Sequence, residues 1–405
     1  MLDIKFIRQN PDKVKEGIAK KRAEINIELI LELDNKKREI LQKIESLRSN
    51  QKKLGKENIV KAQKLKAEIK NIEPELINTE KKLDFLMRQI PNLPLEEVPS
   101  GKDEKENVIL REWGKKTNFD FKPKDYLQLA ESMGLIDIKR AAKVSGTRFG
   151  YVKGKLAVVQ FALISLTIEF LTKKGFLLVL PPVMIKDEMM EAMGYVDTEA
   201  DRAERYFLEK DKLYLVGTSE QSIGPMHTGE ILEEMPKRYL AYSACFRREA
   251  GAYGKDTKGI LRVHQFDKME MFSFCKPENS TKENEFILEM GEKLMQSLCI
   301  PYRVVQLCTG ELSGPSANTY DIEAWMPGQN CYRETHSASN CTDFQARRLN
   351  IRYRTKNGLQ FCHTLNGTAF AMGRILIAII ENYQKKDGSI LVPEALQKYA
   401  GFKKI

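Results

Sequence analysis

Apolar positions recur along this chain at two different periods, and the change of period divides it. Leu65, Ile69, Ile72, Leu76, Thr79, Leu83, Leu86 and Ile90 step alternately by 4 and 3 residues, which is a heptad seam. Ile40, Ile44, Leu47, Gln51 and Leu54 form a shorter seam before it, and Gly55-Lys56-Glu57-Asn58 between the two reads as a turn. Two seams joined by a short turn predict an antiparallel helical hairpin over about residues 30–90. At roughly 1.5 Å per residue its helices project about 35–40 Å. Pro74 sits inside the second helix and cannot donate to the Lys70 carbonyl, so a kink or a break is expected there. The apolar register continues through it, which favours the kink.

Pro91-Asn92-Leu93-Pro94 ends the helical pattern, and a polar stretch through Gly101-Lys102-Asp103 leads to the second half. We set the boundary at 108/109, giving an N-terminal helical arm domain, 1–108, and a larger domain, 109–405. In the larger domain helices alternate with strands rich in aromatic and β-branched residues, among them 175–180, 212–216 and the pair flanking Gly251 to Gly259. The strands come as hairpins rather than βαβ units. The expected class is therefore α+β, an antiparallel β-sheet flanked by helices behind a coiled-coil arm.

Composition changes this picture at a few points. The hairpin from Asn35 to Ile90 holds 15 Lys and Arg against 8 Asp and Glu, and the whole chain carries +10 with a pI near 9.0. A polyanionic partner fits that surplus, although a solvated helical surface explains it equally well on its own. No run of 18 or more apolar residues occurs, and the first residues lack an apolar stretch of signal-peptide length. A cytoplasmic address without membrane attachment is expected. The seven cysteines show no CxxC spacing, so neither a zinc site nor a disulfide framework is expected.

Glycine-rich phosphate cradles of the GxxxxGK[ST] and GxGxxG kinds are missing, so arginines must do much of any nucleotide binding. The richest segment runs from Cys245-Phe-Arg-Arg-Glu249 through a glycine-bounded loop to Phe266-Asp-Lys-Met-Glu270. Alternation along strands puts Arg247 with Glu249 on one face, and Phe266 with Lys268 and Glu270 on another. A guanidinium fork suits a phosphate and an aromatic face suits a purine. A second segment, Arg333-Glu-Thr-His-Ser337, pairs a carboxylate with a hydroxyl, a set able to hold Mg²⁺. Glu334 and Ser337 differ in strand parity, so they share an ion only across a bulge or bend. A third segment, from Thr364-Leu-Asn366-Gly-Thr368 to Arg374, opens an apolar helix with one arginine that needs water, a carboxylate or a ligand anion.

In order and spacing these segments closely resemble class II aminoacyl-tRNA synthetases, specifically the bacterial-type seryl-tRNA synthetases. Phe-Arg-x-Glu and its returning strand look like motif 2, Gly373-Arg374 like motif 3, and Gly175 to Pro182 after a long helix like motif 1, the dimer-forming element. Thr218-Ser219-Glu220 matches the seryl Thr-x-Glu loop, and Asp343-Phe-Gln-Ala-Arg-Arg and Glu381-Asn-Tyr-Gln are likewise similar. The resemblance covers nearly the whole chain. It implies ATP binding by Arg247, Arg248, Glu249, Val263, Phe266, Glu334, Thr335, His336, Ser337 and Arg374. Serine is implied at Thr218, Ser219, Glu220, Arg247, Glu270, Asn366 and Thr368, with Mg²⁺ at Glu334 and Ser337.

The resemblance also implies a homodimer that forms seryl-adenylate and transfers serine to tRNA(Ser), with tRNA(Sec) as a further candidate acceptor, the arm lying on the tRNA. Arg247 and Arg374 carry the catalysis. Gly217, where many relatives have proline, is expected to loosen the loop bearing Thr218. Two other readings remain: a paralogue that activates a small amino acid for a non-tRNA acceptor, and a non-catalytic RNA-binding descendant. The arm argues against the first, and the presence of Arg247, Glu249, Glu334 and Arg374 against the second.

Overall fold

The computed structural model describes residues 1–54, 58–250 and 258–405. The chain divides into two compact units, Met1–Leu93 and Pro94–Ile405. Residues 94–108, expected with the first unit, bond within the second. Leu95 N donates to Ala317 O, Thr309 N to Pro99 O and Gly310 N to Gly101 O. The division therefore falls about 15 residues before the expected boundary, because this polar stretch bonds to the 309–317 connection between two strands of the sheet rather than trailing from the helices.

The first unit is helical: α1 (Ile4–Gln9), α2 (Pro11–Lys20), α3 (Ile27–Lys53) and α4 (Ile59–Gln89). Asn26 caps α3 by accepting from Leu29 N at 2.9 Å, satisfying one of the helix's orphan donors. At the base, Ile7, Val14, Ile18, Ile27, Ile30, Leu83, Met87 and Ile90 form one buried cluster. Farther along, Ile40, Ile44 and Ile69 pack with Leu47, Ile72 and Leu76, so both predicted seams face each other. α4 runs uninterrupted through Pro74, which lies exposed, and the break considered above does not occur. Of the predicted turn, 55–57 lie outside the described residues.

The second unit is built on an eight-stranded sheet: β1 (Val108–Trp113), β2 (Leu177–Val179), β3 (Lys237–Phe246), β4 (Gln265–Cys275), β5 (Tyr302–Gln306), β6 (Asn318–Met326), β7 (Cys331–Asn340) and β8 (His363–Ala371). The order is β1-β5-β6-β7-β8-β4-β3-β2. Every neighbouring pair is antiparallel except β2 with β3, which is parallel. That exception follows from connection length, since several helices and short strands lie between the end of β2 and the start of β3 and no hairpin joins them.

Helices α5 (Gly154–Thr172), α6 (Ser280–Ser297) and α7 (Met372–Tyr383) contribute to the main core with Met269, Met271 and Leu365 of the sheet. α5 is apolar and long enough, by length and composition, to cross a membrane. Here Leu156, Val159, Leu163 and Leu171 of that helix are fully buried in the core. α6 presses onto the sheet at Gly367, where an added Cβ would come 2.3 Å from Ile287 Cγ2. Alternation in β4 then explains the site's position. Met269, Met271 and Cys275 join the main core, while Phe272 and Phe274 join a second cluster with Tyr239 and Met193. Phe266, Lys268 and Glu270 share the parity of those two phenylalanines and line a cleft beside them.

Candidate active site

The cleft encloses about 250 Å³ and is walled by β4, β7 and β8, the start of α7, and the segments 217–221 and 260–263. Arginines and glutamates mark one end. The strand before Arg247 ends at Phe246, so the alternation expected to align Arg247 with Glu249 does not extend to them. Glu249 instead takes a left-handed conformation, φ 51°, with its carbonyl accepting Arg148 Nη1 at 2.6 Å. Both side chains nevertheless line the cleft. Arg247 Nε donates to Gly217 O at 3.1 Å, and its guanidinium sits 5.4 Å from the Phe266 ring centre. Arg374 meets Glu334 at 3.0 Å and also donates to the Glu334 carbonyl. Gly373 lets this helix start lie close to the 260 segment, since a Cβ there would come 2.8 Å from Ile260 O.

Glu334 reaches this wall through a bulge. Ile322 pairs with His336 and Glu323 with Glu334, leaving Thr335 as the extra residue. The bulge required for Glu334 and Ser337 to share one face is thus present, and both line the cleft. Burial pushes the Glu334 carboxyl up, but the Arg374 charge outweighs it and holds the group below its ordinary value. Its side chain is 46 % accessible yet hemmed in by neighbours, as befits a concave wall. Opposite Ser337 in register stands Asp321, buried, its Oδ1 without a hydrogen-bond partner among the described residues. Desolvation, and then Glu334, hold that carboxyl well above the usual range.

The other end is narrower and more buried. Lys268 pairs with Glu270 at 2.5 Å and donates to Thr218 Oγ1 at 3.2 Å. Tyr195 OH donates to Glu220, which is 3 % exposed. Burial, reinforced by the Glu270 charge, raises Glu220 to about 7. Asn366 and Thr368 complete this end from β8, and Arg205 lies over the Tyr195 ring at 5.4 Å. The loop expected to be loosened by Gly217 is tied there by a hydrogen bond. The Gly217 N–H donates to Gln221 Oε1 at 2.7 Å, a bond that proline lacks the hydrogen to make.

Thirteen of the sixteen residues expected at the site line this cleft: Thr218, Glu220, Arg247, Glu249, Val263, Phe266, Glu270, Glu334, Thr335, Ser337, Asn366, Thr368 and Arg374. Three do not. Ser219 is buried beneath, bonded to Ser243 at 2.7 Å. Arg248 points away, donating to Arg205 O and covering Tyr206. His336 falls on the opposite face of the sheet, against Ile287, Gly291 and the Phe370 ring, where desolvation lowers it to about 4 and keeps it neutral. Tyr195, Arg205, Gln221 and Arg262 line the cleft without having been anticipated. Each comes from a loop or short helix whose orientation has no periodic signature.

The two other runs noted in the sequence are structural. Asp343 pairs with Arg347 at 2.7 Å, and buried Glu381 accepts from Tyr126 N, Gly328 N and Gln329 Nε2. Among the described residues no three His, Cys, Asp or Glu side chains gather as a metal site.

An antiparallel sheet carrying motif 2 on the β3–β4 hairpin and the motif 3 arginine at the start of α7 defines the class II aminoacyl-tRNA synthetase core. The family described as tRNA synthetase class II core domain (G, H, P, S and T) matches residues 206–383, and the seryl-tRNA synthetase N-terminal domain matches residues 1–94. Serine–tRNA ligases of Dictyoglomus turgidum and Thermotoga petrophila are 43% and 44% identical to this chain. They cover all of it, and it covers 99% and 100% of them. The seryl-tRNA synthetase of Pyrococcus horikoshii complexed with ATP superimposes with a TM-score of 0.94 at 40% identity, over 100% of this chain and 99% of that one. The cytoplasmic serine–tRNA ligase of Naegleria fowleri in complex with AMP gives 0.90 at 34%, over 100% and 98%. The chain belongs to the seryl-tRNA synthetase family.

Proposed function

We propose that this protein is a serine–tRNA ligase, which activates L-serine with ATP and transfers it to the 3′ end of tRNA(Ser). The observation that carries this reading is the two-ended cleft, arginines and an aromatic ring at one end and buried carboxylates with hydroxyls at the other. Arg247 and Arg374 bind the triphosphate, with Phe266 stacked on the adenine and Glu249 accepting from its amino group. The serine carboxylate attacks the α-phosphorus in line, pyrophosphate leaves, and the adenylate is held for the tRNA 3′-hydroxyl. Positioning and charge stabilisation by the two arginines supply the catalysis.

At the narrow end Glu220, Glu270, Thr218, Asn366 and Thr368 surround the serine ammonium and hydroxyl. Alanine would leave these buried groups unpaired, a loss of about 10⁴-fold or more in comparable sites. Threonine meets a steric limit instead. Glu334 and Ser337 fit a magnesium ion, since the bulge puts both oxygens on one wall beside the unpartnered Asp321 Oδ1. When bound, the ion neutralises phosphate charge. Phe161, Leu177 and Leu180, 63–74 % exposed on α5 and around β2, are the surface on which a second copy of the chain docks. We place the protein in the cytoplasm, with tRNA(Sec) a further acceptor to be assayed.

The test is charging of unfractionated tRNA with labelled serine, ATP and Mg²⁺, alongside pyrophosphate exchange with serine, alanine and threonine. Robust serylation with exchange confined to serine is expected. Exchange without serylation moves the acceptor away from tRNA, towards the carrier-type alternative. Absence of exchange in a folded preparation overturns the proposal.

A further inference from the structure

Among the described residues four arginines line the cleft, and its carboxylates neutralise only two of them. Arg374 pairs with Glu334 at 3.0 Å and Arg262 with Glu249 at 3.5 Å. Arg247 and Arg205 form no ion pair with a carboxylate among the described residues. The resemblance gives Arg247 a task and Arg205 none. Arg205 Nε is buried, with no hydrogen-bond partner among the described residues. Desolvation, and then the neighbouring Arg247 charge, lowers the Arg205 pKa. A cation taken out of water beside a like charge is costly, and an anion held between the two offsets that cost.

The chain fixes Arg205 at the narrow end. It lies between the short helix Glu199–Ala203, opened by a capping box at Thr198, and the strand Phe207–Leu208. Arg248 N donates to Glu204 O at 3.1 Å and Arg248 Nε to Arg205 O at 2.9 Å, tying this backbone to the segment that follows β3. The guanidinium lies over the Tyr195 ring at 5.4 Å, and the Tyr195 hydroxyl donates to Glu220. It also approaches Gly217, where a Cβ would sit 3.4 Å from Arg205 Nη1 and 3.6 Å from Arg247 Cγ. Arg205 is therefore one ring away from Glu220 and one glycine away from Arg247. Arg374, by contrast, stands at the far end with Glu334.

We propose that Arg205 is a second substrate-binding arginine, which with Arg247 clamps the carboxylate of the amino acid during activation. This rests on the proposal that the cleft activates serine. A substrate whose ammonium pairs with Glu220 carries its carboxylate on the same carbon, within reach of the gap between the two arginines. Held from both sides, one carboxylate oxygen forms the new bond to the α-phosphorus as pyrophosphate leaves with the electron pair of the bond that breaks. The second guanidinium fixes that oxygen and offsets the repulsion between carboxylate and triphosphate. A phosphodiester of the incoming RNA is a poorer fit, because Arg205 Nε is buried against the narrow end.

The experiment measures serine-dependent pyrophosphate exchange by the full chain and by its Arg205→Gln and Arg205→Lys variants. Serinamide, which keeps the ammonium and hydroxyl but has no carboxylate, is titrated as a competitive inhibitor of each. Arg205→Gln is expected to raise KM for serine about tenfold or more, with the serinamide Ki and KM for ATP each changed less than about twofold. Arg205→Lys keeps the charge without the fork and is expected to recover part of the loss. Serinamide reads the same pocket, so a distorted site raises its Ki in parallel. Parallel losses for serine and serinamide, or an unchanged KM for serine, overturn the inference. Normal exchange with slowed transfer from bound adenylate also overturns it, handing Arg205 to the tRNA 3′ end. Should Arg205→Gln not fold, the same comparison of serine with serinamide in Arg205→Lys decides. A parent without serine-dependent exchange defeats the functional proposal and this inference together; an active parent with an unaffected variant defeats the inference alone.

Discussion

The two units use the same side chains, lysine, arginine and glutamate, under opposite physical conditions. On the hairpin the bridging pairs have both partners substantially exposed; Lys36 and Glu75, for example, are 49 % and 52 % accessible. Water screens them, so they set where charge remains rather than how firmly the helices hold, a task left to Ile40, Ile44 and Ile69. In the cleft Lys268 and Glu270 are 9 % and 1 % accessible, and Glu220 lies behind them. There desolvation dominates, and each charge alters its neighbours' protonation and its own readiness for a ligand. The difference teaches that charge content alone predicts neither surface: pairing decides the first and burial the second.

The strongest way to break this comparison is to remove a cleft charge. Among the described residues the Arg247 side chain makes one hydrogen bond, to the Gly217 carbonyl, and one ring contact, so Arg247→Ala should fold. Losing a preorganised donor at developing phosphate charge should cost about 10²–10³-fold in serine-dependent pyrophosphate exchange. Near-normal exchange would remove Arg247 from the chemistry and with it the assignment of the cleft.

A smaller effect tests burial itself. Glu220 is raised to about 7, chiefly by desolvation and then by Glu270. Because the shift is upward, the group is mostly neutral at pH 6 and mostly ionised at pH 8. Only the ionised form pairs with a substrate ammonium. KM for serine should therefore fall about tenfold between pH 6 and 8, one proton's worth, and the dependence should vanish in Glu220→Gln. The same raised carboxyl makes a stability contribution favouring low pH, lost as pH rises from the unfolded value near 4.5 towards 7. A pH-independent KM in the parent would mean that the substrate pairs elsewhere. Smaller again, Ser337→Ala should raise the Mg²⁺ concentration for half-maximal exchange several-fold while leaving KM for serine unchanged. An unaltered requirement would take the hydroxyl out of the metal site.

The legible and illegible parts of the molecule divide along similar lines. The hairpin was readable because heptads with Ile and Leu at a and d positions are a local, repeated signal, and the facing seams Ile40–Ile44 and Ile69–Ile72 follow from it. Phe266, Lys268 and Glu270 were readable because β4 keeps strict alternation across the cleft wall. Alternation failed where the strand had already ended, at Arg247 and Glu249, and the Thr335 bulge that brings Glu334 to the wall leaves His336 under α6. Asp321 was invisible for a different reason. Its importance lies in standing opposite Ser337, and cross-strand register between β6 and β7 is written in no local pattern. Arg205 and Tyr195 depend on how loops pack, which one sequence does not display.

The smallest effect sharpens the comparison most. Glu80→Gln breaks the Lys37–Glu80 bridge at 3.0 Å, whose partners are 32 % and 43 % accessible. Exposed pairs of this kind contribute little, because screening and side-chain entropy offset the attraction. The thermal midpoint of the helical transition should therefore move by no more than about 1–2 °C. Yet the substitution frees Lys37 on α3 and removes one of the few carboxylates from α4. If pairing governs where the hairpin's charge resides, tRNA affinity at low salt should rise slightly, and the rise should disappear as salt is added. A large drop in midpoint with no change in affinity would reverse the assignment, making the bridges a source of stability and leaving the hairpin's charge distribution without a role.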